Sequence, residues 1–142
     1  MSNVDPRNPR TWARNVEFRF ARPFEQALKS QRSDRSRILA DLTAFETSWI
    51  GDASMDELSA RFRFKPVGSD QRCRDEGCVA EIRLVSQKYR ALLVYLQPLN
   101  QCQWLDTYPK SPERQARAIR VACDRALGLQ REAQIEGDHR NV

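Results

Sequence analysis

No run of about eighteen consecutive apolar residues occurs in this 142-residue chain, so it offers no candidate for a membrane-spanning helix. The opening "MSNVDPRNPRTWARN" has no apolar stretch of the kind a signal peptide carries. Export by that route is not expected, and a cytoplasmic location follows. Histidine occurs once, as His139 near the C-terminal end. Of the four cysteines only Cys73 and Cys78 are close, in "CRDEGC", a spacing that zinc sites use. A second ligand pair is missing, because Cys102 and Cys123 fall inside regular elements. No metal and no cofactor is therefore expected, the thiols read as isolated, and disulfides are not expected in a cytoplasmic chain. Repeats and low-complexity segments are absent as well.

What is present is a single-domain length, 40% apolar and 30% charged, enough for one sizeable core. The net charge is +5, and 20 of the 24 basic residues are arginine, whose planar fork suits phosphates and carboxylates. Charge alone favours a solvated arginine-rich surface over a binding face.

Hydrophobic periodicity divides the chain into an arm over 1–15, a domain over 16–128 and a polar tail over 129–142. "VEFRFA" alternates as a half-buried strand. Pro23 stands at a helix start, with Phe24 and Leu28 one turn apart. After the serines of "SQRSD", Ile38, Leu42, Phe45 and Trp49 form a stripe at i, i+4, i+7 and i+11, a helix closed by Gly51. "RFRFK" from Arg61 reads as a strand ended by Pro66, and 67–77 as a surface loop. Strands follow over 78–85, 89–96 and 101–107, the middle one apolar on both faces and so central. Ser111-Pro112-Glu113 opens a last helix, which Gly128 closes. The order β-α-α-β-β-β-β-α predicts an α+β fold. Its antiparallel twisted sheet carries an N-terminal helical pair and a C-terminal helix.

In "EIRLVSQKYRALLVYLQ" two arginines flank the turn of the best hairpin. Side chains alternate along a strand, so an even-length connection, two residues or the four of 85–88, sets Arg83 directly opposite Arg90. Like charges so placed repel by a few tenths of a kcal/mol to about 1 kcal/mol. Either an anion lies between them, or they point outward, or Glu81, on the same face as Arg83, neutralises them.

The stretch from Val16 to Leu127 resembles the RelE/ParE toxin superfamily, above all its RelE- and HigB-like RNA endonucleases. The carrying residues are "EIRLVSQKYRALLVY" and "WLDTYPKSPERQARAIRVACDRAL", preceded by "FRFARPFEQAL" and the amphipathic helix. The resemblance implies the toxin of a toxin-antitoxin pair: a cytoplasmic, metal-independent mRNA endonuclease that acts at the ribosome, arrests growth and is held by a cognate antitoxin. It implies catalytic roles for Arg90 at the scissile phosphate, for Arg83 in the preceding strand and for Lys110 ahead of the last helix. Arg63, Lys65 and Lys88 are the accompanying nucleic-acid-binding candidates. Arginine and lysine can stabilise a phosphorane without a metal. The proton transfers fall to a lysine crowded by arginines, Lys110, or to Glu81 as a base. Two positions depart from the RelE pattern: Glu81 stands where active members often have lysine, and no tyrosine follows Lys110. They leave open a ParE-like gyrase inhibitor or a catalytically silent binding protein of the same fold.

Overall fold

A computed structural model describes residues 4–140. Glu17–Phe20 forms β1, followed by three helices, α1 (Arg22–Ser30), α2 (Arg35–Ile50) and α3 (Met55–Phe62). Strands β2 (Lys65–Val67), β3 (Val79–Leu84), β4 (Tyr89–Leu96) and β5 (Gln101–Pro109) follow, and α4 (Pro112–Arg140) ends the described chain. The fold is α+β. In the five-stranded sheet, ordered β1-β5-β4-β3-β2, strands β2 to β5 are antiparallel meander neighbours. β1 joins β5 parallel, so the sheet is mixed where an antiparallel one was expected. The reason is topological: the helices after β1 carry the chain across the whole sheet and reverse it once, and the three reversals of the meander then bring β5 back beside β1 in the same direction.

Every residue of β4 is buried, because helices cover both faces of the sheet. On one face Ile38, Leu42, Phe45 and Trp49 of α2, each no more than 1% exposed, pack with Phe24, Leu28, Leu58 and Phe62 onto Ala80, Ile82, Leu93 and Trp104. On the other face Ala118, Ala122, Cys123, Ala126 and Ala133 of α4 lie on Val79, Leu92, Val94 and Leu96. Alanines let this helix approach the sheet closely. The expected arm is tied down from residue 4 onward: Trp12 is buried, stacks on Tyr95 at 5.2 Å and donates its indole N–H to the Pro6 carbonyl. Residues 1–3 and 141–142 of the expected arm and tail lie outside the described residues.

Three expectations are corrected. "RFRFK" is not a strand from Arg61: α3 runs to Phe62, Arg63 ends it in the left-handed region at φ 54°, and only Lys65–Val67 pairs, with Pro66 inside the edge strand. The signal for α3 was Ser54-Met-Asp-Glu57, where the Ser54 hydroxyl accepts the Glu57 N–H at 3.1 Å, followed by Leu58 and Phe62 one turn apart. Gly128 does not close α4, which continues to Arg140. A glycine inside a helix costs only about 1 kcal/mol. Contacts beyond it hold the helix: Gln130 donates to the Tyr95 and Gly77 carbonyls, and Gly137 meets Pro98 so closely that a Cβ would stand 2.8 Å from the ring.

The third correction concerns sulfur. Cys73, in a π-helical turn Cys73–Gly77, is bonded to Cys123 of α4, while Cys78 and Cys102 are free and buried. Two cysteines 50 residues apart gave no spacing signal; only the packing of α4 over the turn brings them together. Cross-linking a loop of that length stabilises by about 4 kcal/mol in the chain-entropy account. Reduction, or Cys123→Ser, is therefore expected to lower the urea midpoint with little change in the far-ultraviolet spectrum. An unchanged midpoint would mean that the bridge carries no stabilisation.

Candidate functional site

Arg83, Lys88, Arg90 and Lys110 lie around the end of the sheet where β3 turns into β4, Lys88 with its ammonium on Asp34 at the opposite, α2 side. Leu84 pairs with Tyr89 across a four-residue connection, and Arg83 stands directly opposite Arg90, as strand parity requires. Both arginines are on the α4 side of the sheet, since Ala80, Ile82 and Leu84 belong to the core beneath α1–α3. Lys65 faces Glu81 across β2 and β3, which puts Lys65 on that side too. Lys110 joins the same hairpin through its backbone N–H, donated to the Lys88 carbonyl at 2.8 Å. Arg63, the exposed end residue of α3, lies outside this face.

The two arginines differ in access. Arg83 is half-buried and its Nη1 donates to Gln87 Oε1 at 2.9 Å. Arg90 is 4% exposed, and its Nη1 donates to the Gln87 carbonyl at 2.7 Å. The repulsion between them is thus relieved by two oxygens of one turn residue. The other side of Arg90 meets Glu81, fully buried, with Oε1 at 3.8 Å from Nε. Lys65 Nζ lies 3.9 Å from that same oxygen. Glu81 Oε2 accepts from Gln115 in the first turn of α4 at 3.0 Å and from the Tyr108 hydroxyl at 3.4 Å. Burial pushes the Arg90 pKa down, with Arg83 adding to the effect and Glu81 opposing it. Burial, then the Glu81 carboxylate, raises the Tyr108 pKa. Removing one member of such a buried pair costs about 3–5 kcal/mol, because the other charge is left uncompensated.

The turn is itself strained. Val85, Ser86 and Gln87 all have positive φ, at 52°, 53° and 70°, without a glycine among them. A β-branched residue in that region is rare, and it persists only where its surroundings impose it. Asp41 of α2 accepts the Val85 N–H at 2.6 Å, and Arg90 and Arg83 hold Gln87. Asp34, the residue before α2, makes no cap bond; its Oδ2 accepts from the Tyr89 hydroxyl at 2.7 Å and from Lys88 Nζ at 3.3 Å.

Sequence reasoning brought together Arg83, Arg90 and Lys110 but missed Gln115, Tyr108, Gln87, Asp34 and Asp41. A signal existed for the aspartates: Asp34 and Asp41 interrupt the helical stripe of Ile38 and Leu42, and acids on an apolar face need partners. The arrangement supplies exposed Lys88 and Lys110 and half-buried Arg83 around a rigid turn, with a carboxylate-paired arginine behind them. It can hold an anion. Compared with family models, with curated proteins and with solved structures, the chain matches none.

Two measurements check this account of the turn. Ser86→Gly, which relieves a left-handed L-residue costing about 1–2 kcal/mol, is expected to stabilise by about 0.5 kcal/mol after glycine's entropy. Asp41→Ala, which orphans the Val85 N–H, is expected to destabilise by about 1–3 kcal/mol in urea titration. A destabilising Ser86→Gly would contradict the strain.

A third measurement, on the neighbouring Asp34, uses pH. The Tyr89 hydrogen bond, then Lys88, holds the Asp34 pKa below its ordinary value. Its contribution is therefore full above about pH 5 and is lost as pH falls through the folded pKa below about 4. The stability gap between wild type and Asp34→Asn is expected to shrink over that window; a constant gap would contradict the assignment.

Proposed function

We propose that the chain is a toxin of the RelE/ParE type, in its RelE- or HigB-like branch. In this reading it cleaves mRNA at the ribosome without a metal and is held by a cognate antitoxin. The observation that supports this most is the register that sets Arg83 opposite Arg90 on a hairpin whose turn is bonded to Lys110. A ribose 2′-oxygen attacks the adjacent phosphorus, the bond to the 5′-oxygen breaks, and a 2′,3′-cyclic phosphate and a 5′-hydroxyl result. One proton leaves the attacking hydroxyl and one reaches the departing oxygen. In this reading Arg83 and Lys110 meet the phosphate and carry these changes, with Lys88 on the neighbouring backbone and Lys65 at the rim. Arg90 supports them from behind by holding Gln87.

No helix among the described residues is long and apolar enough to cross a membrane. The reading places the chain in the cytoplasm, with its mRNA. Cys73 and Cys123 would stand there as thiols packed between α4 and the Cys73–Gly77 turn.

The burial of Arg90 against Glu81 favours a second reading, a catalytically silent protein of this fold or a gyrase-directed one. Induced expression with mapping of RNA 5′ ends, beside a supercoiling assay, separates them. The first reading expects growth arrest with new 5′-hydroxyl ends. Arg90→Ala is a poor reporter, because it leaves Glu81 buried without its partner. Lys110→Ala, at an exposed position, is expected to slow cleavage by about 10²–10³ with an unchanged melting temperature. Arg131→Ala, about 30 Å further along α4, is expected to change neither. Arrest with altered supercoiling and no new ends would select the gyrase reading; neither effect would select the silent one.

A further inference from the structure

Among the described residues Glu81 is the one acid fully buried in this face, and it is surrounded by donors from four elements. Its Oε1 lies 3.8 Å from Arg90 Nε and 3.9 Å from Lys65 Nζ, and its Oε2 accepts from Gln115 and Tyr108. The charge pair is nevertheless imperfect. Glu81 Oε1, Arg90 Nε and Arg83 Nε are all buried without a hydrogen-bond partner among the described residues. Buried groups of this kind are almost always paired, and each exception calls for a reason. One carboxylate therefore satisfies these buried donors only in part. We infer that Glu81 is a built-in competitor for an anion site made by Arg90, Arg83, Lys65, Gln115 and Tyr108, and that the ligand class it excludes is phosphate.

Inorganic phosphate, or a phosphomonoester, brings more negative charge and more acceptor oxygens than a carboxylate, so it can meet guanidinium N–H groups that Glu81 leaves bare. Access lies at the rim, where Lys65 on the edge strand is half exposed and Gln115 half-buried. With Glu81 in place the site carries its own counter-ion and phosphate gains little. With the carboxylate removed, the buried arginine charge is left for an external anion to neutralise. The inference rests on the RNA-directed reading above for its biological ligand, though not for its chemistry.

The test is thermal unfolding of Glu81→Ala in inorganic phosphate from zero to about 20 mM at constant ionic strength, below the range where phosphate stabilises proteins generally. The variant is expected to gain about a tenfold shift in its unfolding equilibrium over that range, as a site of millimolar affinity does. Wild type and Glu81→Ala/Arg90→Gln, in which both charges are gone, are expected to gain none. If Glu81→Ala does not fold without phosphate, phosphate is expected to restore its far-ultraviolet spectrum. A response equal to that of wild type, or an unfolded variant that phosphate does not restore, overturns the inference. Its failure is distinct from that of the RNA reading. The latter fails when the wild-type protein cleaves no RNA, whatever phosphate does to the variant's stability.

Discussion

Glu81 and Arg90 lie between the sheet and its last helix with almost no access to water, and the cationic face is arranged around them. Placing ions there costs several kcal/mol each unless the geometry returns it through attraction and hydrogen bonds. The return comes from four places at once: β2 through Lys65, β5 through Tyr108, α4 through Gln115 and the hairpin turn through Gln87. A one-residue slip of β3 against β4 would send Glu81 into the opposite, apolar core. The pair thus ties the sheet register to the seating of α4, and both decide where the remaining cations stand.

The turn depends on the same constraint. Three consecutive residues of positive φ would unwind in isolation, and they are held by Asp41 from one side and by the two arginines from the other. Asp34 fixes the next two residues, Lys88 and Tyr89. Carboxylates of α2 therefore set the turn from the core beneath one face, while Glu81 sets Arg90 from the other. Such an over-determined turn presents its flanking cations reproducibly, which a site for phosphate chemistry needs.

Much of this was legible in the residues because it rests on short-range periodicity. The stripe on α2, the boundaries of β4, the proline start of α4 and the parity of Arg83 and Arg90 follow from spacing alone. What was not legible depends on contacts between distant segments. The parallel pairing of β1 with β5 needs the path of three helices. The bond between Cys73 and Cys123 needs α4 laid over a turn 50 residues earlier. The run of α4 past Gly128 needs Gln130 and Gly137 to find partners on the sheet side. α3 was hidden for a different reason: Phe62 and Phe64 alternate as strand residues do, and the weaker capping signal at Ser54 and Glu57 was outweighed. In the site, parity showed which face Arg90 takes but not that α4 would cover it.

The cationic groups of this face are of the kind that stabilise charge on a phosphorus without a metal. The proposed strand cleavage proceeds through the ribose 2′-hydroxyl next to the scissile phosphate. The most direct measurement is product analysis by mass spectrometry of an RNA cut by the purified protein on ribosomes, beside the same RNA with one 2′-deoxy substitution at the mapped site. The account predicts a 2′,3′-cyclic phosphate and a 5′-hydroxyl from the first and no cut at that position in the second. Cleavage that ignores the deoxy substitution, or no cleavage of either RNA, would contradict it.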